Sequence, residues 1–219
     1  MKILAISDTP SKALWDYCTR ERLQGIDLIL SCGDLPKKYL EYLTNFTSAP
    51  ILYVHGNHDG SYRHGEPGGC ICVDDEVYVW KGLRIMGLGG SIRYNREETF
   101  QYTEQEMRRR VRRLWFKAHR AGGIDLLLTH APAKGLNDGD DKAHKGFETF
   151  NGLLEDYQPK WFVHGHVHLS YNANLPRVCT HGQTTVINAT ERYTFEIPDP
   201  DPVARKRFFW NDPAFPTKN

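Results

Sequence analysis

Apolar positions along the chain alternate between short continuous runs and stripes at helical spacing, an order that predicts an α/β sheet. From Lys2 to Ser7 the run is nearly unbroken, as expected for a strand covered on both faces. Ala13 to Leu23 reads as a helix and Asp27 to Ser31 as a second strand that ends at Gly33-Asp34. Lys37 to Phe46 again reads as helical, and Ile51 to Val54 is a third strand running into Gly56-Asn57-His58-Asp59. Val77 to Trp80 and Leu83 to Met86 flank Lys81-Gly82 and predict a hairpin. The clearest helix spans Thr103 to Arg120. Thr103 and Glu106 fit a capping box, and Met107, Val111, Leu114 and Ala118 form its buried stripe. Asp125 to Thr129 is a strand ending at His130, Phe147 to Tyr157 is helical, and Trp161 to His164 is a strand ending at Gly165-His166. Arg177 to Ile197, rich in Thr, Val, Ile and Tyr, predicts antiparallel strands. The pattern thus defines one domain over residues 1–197 and a tail over 198–219 that carries five Pro and no periodicity.

Polar groups that end the strands change this picture from a fold to a site. Asp8, Asp34, Asn57, His130 and His166 each fall just past a predicted strand. In open α/β sheets, functional groups gather in the crevice beyond the carboxyl ends of the strands. Gly33, Gly56 and Gly165 precede three of these residues, where a sharp turn excludes a Cβ. His168 follows His166 by two residues, so an extended backbone aims both the same way. Carboxylate, amide and imidazole together suit Mn²⁺, Fe²⁺ or Zn²⁺. Two such ions would lie about 3.5–4 Å apart, share a bridging carboxylate and generate a hydroxide from water near neutral pH. The bland alternatives are a helix cap for Asp8 or Asp34 and turn or loop roles for Asn57 and His130.

Asp8 with its flanks, Gly33-Asp34, Gly56-Asn57-His58-Asp59, Thr129-His130 and Gly165-His166-Val167-His168 resemble, in that order, the motif set of the calcineurin-like metallophosphoesterases. The resemblance runs over roughly residues 1–190. It implies a four-layer α-β-β-α sandwich with two metals, Mn²⁺ or a close relative, between the sheets. Under that resemblance Asp34 bridges the ions, Asp8 and His168 bind the first, and Asn57, His130 and His166 bind the second. It also makes His58 a catalytic group that stabilises the pentacovalent phosphorus and protonates the leaving oxygen, with Asp59 as its orienting partner. The implied reaction is hydrolysis of a phosphomonoester or phosphodiester by metal-activated hydroxide. One position departs from the pattern. The family's first motif is usually Asp-x-His, whereas this chain reads Asp8-Thr9-Pro10, and proline cannot coordinate a metal. Water, another His or a weakly bound ion are the three ways to complete that site. A weakened, scaffold-like binding protein is the alternative function.

Two loops add candidate substrate contacts. Arg93 and Asn95, in Gly89-Gly90-Ser91-Ile92-Arg93-Tyr94-Asn95, could meet a phosphate, the plain reading being a connecting loop. His144 ends an acidic stretch that leaves from His130 and could fold over the site, as a substrate contact or as the replacement ligand. His55 and His164 read as core histidines, and His64, His119 and His181 as surface or structural ones.

Composition narrows the partners. A formal net charge of +1 gives no field that points to nucleic acid or membrane. Arg108, Arg109, Arg110, Arg112 and Arg113 crowd one helix, but they read as its solvated face, so nucleic acid is not favoured. With 219 residues and no large accessory domain, a small phosphate ester is the favoured substrate. No apolar run approaches the roughly 20 residues that span a bilayer. The five Cys lack zinc-ribbon spacing and read mainly as small buried groups in a reducing, cytoplasmic compartment. Cys70 and Cys72 alone are close enough to share a metal or pair with each other.

Overall fold

In the computed structural model, residues 1–95, 99–170 and 175–200 are described. Alternation along the strands decides the layering. In β1 (Lys2–Ser7), Ile3 and Ala5 face one core and Leu4 and Ile6 another, all of them buried. A short helix α1 (Lys12–Trp15) follows, then β2 (Leu28–Ser31), α2 (Lys37–Leu43), β3 (Ile51–Tyr53) and β4 (Cys70–Cys72). The hairpin β5 (Glu76–Trp80) and β6 (Leu83–Leu88) comes next, then β7 (Ser91–Ile92) and β8 (Gln101–Tyr102), which pair with each other. Helix α3 (Glu104–Ala121), β9 (Leu126–Thr129), α4 (Glu148–Tyr157) and β10 (Trp161–His164) lead to β11 (Val178–His181), β12 (Thr184–Asn188) and β13 (Glu191–Glu196).

Among the described residues, one mixed sheet has the order β13-β1-β2-β3-β4 and the other β11-β12-β10-β9-β6-β5. Only β13 in the first sheet, and β11 and β5 in the second, run antiparallel to their neighbours. Inner faces of both sheets meet in a core that includes Ile3, Leu30, Val54, Ile85, Leu128 and Val163. The outer face of the first sheet packs on α1 and α2 through Leu14, Tyr39, Leu40 and Leu43. That of the second packs on α3 and α4 through Met107, Leu114, Phe150 and Leu153. Each such fully buried aliphatic or aromatic side chain contributes roughly 1.5–3 kcal/mol of apolar transfer. The result is the expected α-β-β-α sandwich, with the parallel strands of each sheet delivering their carboxyl ends to one edge.

Three expectations are corrected. The helix read over Ala13 to Leu23 stops at Trp15 and resumes only as a 3₁₀ turn at Arg20–Leu23. Asp16, Tyr17, Cys18 and Thr19 all come from the weaker part of the helix-propensity scale, although Cys18 and Leu23 still reach the outer core. Arg110 does not share the solvated face of α3. It lies in the stripe between Met107 and Leu114, 5% exposed, where Asp74 (2.6 Å), Asp75 (2.8 Å), the Gly89 carbonyl (2.7 Å) and the face of Tyr102 match its guanidinium. Arg108, Arg109, Arg112 and Arg113 are exposed as expected. Finally, of the cysteines only Cys18 and Cys32 are buried, while Cys70, Cys72 and Cys179 are half-buried. The capping box of α3 forms as read, with Thr103 and Glu106 each serving the other's backbone amide. From residue 201 the Pro-rich tail lies outside the described residues.

Candidate metal centre

Loops at the carboxyl ends of β1, β2, β3, β9 and β10 converge because neighbouring loops of each sheet are tied to one another and then across to the other sheet. The amide of Gly165 donates to the His130 carbonyl (2.9 Å), and that of Asp8 donates to the Gly33 carbonyl (3.1 Å). The His166 amide reaches across the sheets to both Asp8 carboxylate oxygens (3.0 and 3.1 Å). Close approach at these turns requires glycine: a Cβ on Gly56 would overlap the Asp34 carboxylate, and one on Gly165 would overlap the Ser7 hydroxyl. Three of the converging residues, Asp8 (φ 64°), Asp34 (φ 56°) and His166 (φ 68°), hold the left-handed backbone that non-glycine residues rarely adopt. Strain of this kind costs on the order of 1–3 kcal/mol per residue and collects at functional sites.

One ligand atom each from Asp34, His130 and His166 lies within 4.8 Å of the other two. Asn57 joins them, its Oδ1 3.0 Å from His130 Nε2, which also lies 3.4 Å from Asp34 Oδ2. His130 is fully buried, and its Nδ1 donates to the Cys32 carbonyl at 2.7 Å. His166 donates from Nε2 to the Ala143 carbonyl at 2.7 Å. Each imidazole therefore has one nitrogen fixed by a carbonyl, which leaves Nε2 of His130 and Nδ1 of His166 as the atoms that could take a cation. A buried set of carboxylate, amide oxygen and two such imidazoles fits a borderline divalent cation.

Charge in the cluster reflects this crowding. Burial alone would raise the Asp34 carboxyl, but the charge and hydrogen bond of His130, with the His58 amide at 2.7 Å, hold it at about 2. Burial would lower His130, yet Asp34 and Asp8 raise it to about 9. Burial and then the neighbouring His130 push His166 down to about 3. His130 Nε2 thus points between Asp34 and Asn57, where a cation would bind, and a cation bound there would displace any proton on that nitrogen.

The other half of the crevice is sparser. Asp8 is half-buried, and burial raises its carboxyl while His130 and His168 oppose that rise. Thr190 Oγ1 lies 3.5 Å from Asp8 Oδ2. Thr9 is exposed and Pro10 half-buried, so this side presents no imidazole from the Asp8 loop. His168 is half-buried and close enough to act on Asp8 electrostatically.

Second-rank candidates sort differently. His58 is exposed at the rim, its amide on Asp34 Oδ1. Asp59 is buried, with Oδ2 accepting from the amides of Gly56 (2.7 Å) and Asp34 (2.9 Å), so it fastens together the loops that carry Asn57 and Asp34. Burial raises its carboxyl to about 6. Arg93 pairs with Glu106 of α3 (2.8 Å) and the Gln101 carbonyl (3.1 Å). Asn95 is exposed, with its amide on Gln101 Oε1. His144 stands 5.3 Å from the His166 ring, centroid to centroid, and its Nδ1 meets Asp141 at 2.8 Å. The His130-to-α4 connection therefore does fold over the crevice. His164 is buried as read, Nδ1 on the Gly165 carbonyl and its imidazole lowered to about 4 by burial, but its Nε2 has no hydrogen-bond partner among the described residues, so the histidine is only half satisfied. Sequence reasoning missed Tyr94, whose hydroxyl accepts from Asn57 Nδ2 at 3.1 Å, although it lies in the loop singled out for Arg93.

Comparison with known proteins gives a consistent result. Residues 1–170 match the family described as calcineurin-like phosphoesterase. A UPF0046 protein of Caenorhabditis elegans is 24% identical over 222 residues, covering 87% of this chain and 70% of its own length. One solved structure superposes with a TM-score of 0.65 at 13% identity, covering 88% of this chain and 93% of its own. The structure of TT1561 of Thermus thermophilus gives 0.56 at 16%, covering 87% and 89%. At such identities the structural matches speak for the fold alone.

Proposed function

Because the chain belongs to the calcineurin-like phosphoesterase family, we propose that it hydrolyses a small phosphomonoester or phosphodiester with two divalent cations, Mn²⁺ or a close relative. The observation that carries this reading is the convergence of Asp34, His130 and His166 within 4.8 Å, on loops held in strained backbone. Asp34, Asn57, His130 and His166 would hold one ion, and Asp8 and His168, sharing Asp34, the other. Bound there, the ions supply Lewis acidity toward water and phosphate oxygens.

The chain's own groups do the rest. Asp59 keeps Asp34 and Asn57 in register by gripping both loops. His58, exposed and anchored through its amide to Asp34, would donate a proton to the departing oxygen. The segment carrying Ala143 and His144 covers one side of the crevice, which favours a small ester over a polymer. Helices offer no alternative setting in a bilayer: none among the described residues is long and apolar enough to cross one.

Pro10 favours a second reading, a family member retained for binding with a weakened first site. Turnover separates the two. Hydrolysis of a generic aryl phosphodiester, abolished by chelation and restored by Mn²⁺, is the expected result. Full activity in rigorously metal-free protein would refute the metal reading, and no turnover in Mn²⁺-loaded protein across phosphomonoesters, cyclic nucleotides and oligonucleotides would favour the binding role.

A further inference from the structure

Around His55, which immediately precedes Gly56, a second group of donors comes together. One ring nitrogen of His55, one carboxylate oxygen of Glu66 and the Cys72 thiol lie within 4.8 Å of one another. They come from three places: the residue after Val54 at the end of β3, the segment following the 3₁₀ turn Asp59–His64, and the end of β4. Pairing of Tyr53 with Cys72 across the parallel β3 and β4 sets their approach.

Two further features point to a ligand. The first is the state of His55. Its Nδ1 meets the buried carboxylate of Asp74 at 2.9 Å, and that carboxylate is itself held by Arg110 (2.6 Å) and the Gly89 amide (2.7 Å). The ring is stacked on Phe100 with centroids 4.2 Å apart. A carboxylate on one imidazole nitrogen fixes the orientation of the ring, the usual arrangement behind a metal-bound histidine. Here it leaves the Nε2 lone pair available. The second feature is Tyr53. Its ring is fully buried, and its hydroxyl lies against the Cys72 thiol and the Glu66 carboxylate without a well-formed hydrogen bond to either. A ligand or water held by the three donors would complete its hydrogen bonding.

We infer that His55, Glu66 and Cys72 form a binding site for a thiophilic divalent cation, Zn²⁺ by donor chemistry, with water as its fourth ligand beside the Tyr53 hydroxyl. One thiolate, one imidazole and one carboxylate is a donor set that zinc accepts in tetrahedral geometry. The Cys72 thiol loses its proton to solvent as the ion binds. Bound there, the ion ties β4 and the segment around Glu66 to the end of β3, one residue before Gly56-Asn57. It therefore stiffens the base of the loop that carries His58 without belonging to the crevice.

Co²⁺ gives a test specific to this site, because none of the crevice ligands is a thiol. Metal-free full-length protein titrated with Co²⁺ should develop a near-ultraviolet thiolate-to-cobalt charge-transfer band that is displaced by Zn²⁺, with an intensity at saturation corresponding to one thiolate–cobalt bond per chain. The band should be lost in Cys72→Ser and reduced in His55→Gln, and kept in Cys70→Ser and in Asp34→Ala, which damages only the crevice. Zn²⁺ should also raise the melting temperature of Asp34→Ala. Absence of the band in the wild-type protein under excess Co²⁺ would overturn the inference, whatever the variants do. So would a band of full intensity in Cys72→Ser.

Discussion

Around His130 the crevice is closed, and around Asp8 it is open. His130 and Asn57 are fully buried and His166 is 6% exposed, with the outer nitrogen of each imidazole tied to a backbone carbonyl. Asp8, Pro10 and His168 are only half-buried, and Pro10 stands where the family pattern has a coordinating imidazole. One half thus presents buried donors oriented before any ion arrives, while the other presents fewer and more exposed ones. The difference teaches that a crevice built from strand-end loops can be closed on one side and open on the other. The loop carrying His166 and His168 serves both sides, its His166 amide holding Asp8, and on the proposed reading both would share the Asp34 carboxylate.

Breaking that shared element should have the largest effect. Asp34→Ala is expected to abolish hydrolysis to background and to empty both halves, read by metal analysis of the purified protein alongside turnover. One retained tight ion would show that the halves are more independent than the shared carboxylate implies. His58→Ala should act on turnover alone. A lost general acid lowers the rate by about 10²–10⁴-fold, with metal content near that of the wild type. If the variant lost metal instead, His58 would belong to the ligand set and not to the reacting side.

The smallest effect sharpens the comparison from the weak side. Pro10→His restores an imidazole to the open half and should tighten the looser ion on the order of tenfold, equivalent to about 1.4 kcal/mol. The Mn²⁺ concentration for half-maximal activity should fall with it. Proline fixes φ, so the loop is partly shaped around Pro10, and relief of that constraint opposes the gain. An unchanged Mn²⁺ requirement would indicate that another side chain already completes the open half. His144 is the first candidate, 5.3 Å from His166, and His144→Ala should then loosen that ion.

Much of this architecture is legible in the sequence because parallel strands buried on both faces read as continuous apolar runs, and each ends abruptly at Gly followed by a polar residue. That signature places Asp34, Asn57 and His166 at strand ends, and the runs before Asp8 and His130 do the same. Other features carry no side-chain signal. The carbonyls of Cys32 and Ala143 that orient the imidazoles are backbone groups that any residue could supply. Asp59 looks like a neighbour of His58 in sequence, but its carboxylate serves the Asp34 amide, 25 residues away, as well as that of Gly56. Arg110 sits among four exposed arginines, and only the pairing of Asp74 and Asp75 across the fold explains its burial. The three-residue strand Cys70–Cys72 is too short for periodicity to reveal, so the donors beside it become visible only in three dimensions.

Titration of the metal-free wild-type protein with Mn²⁺, followed by calorimetry and by turnover of an aryl phosphodiester in the same samples, tests the central claim most directly. The thiolate-bearing group at Cys72 disfavours this hard ion, so the crevice dominates the signal. The account predicts a tight event and a looser one, with activity rising along the looser event. Two equally tight events, or full activity once the first ion is bound, would contradict it.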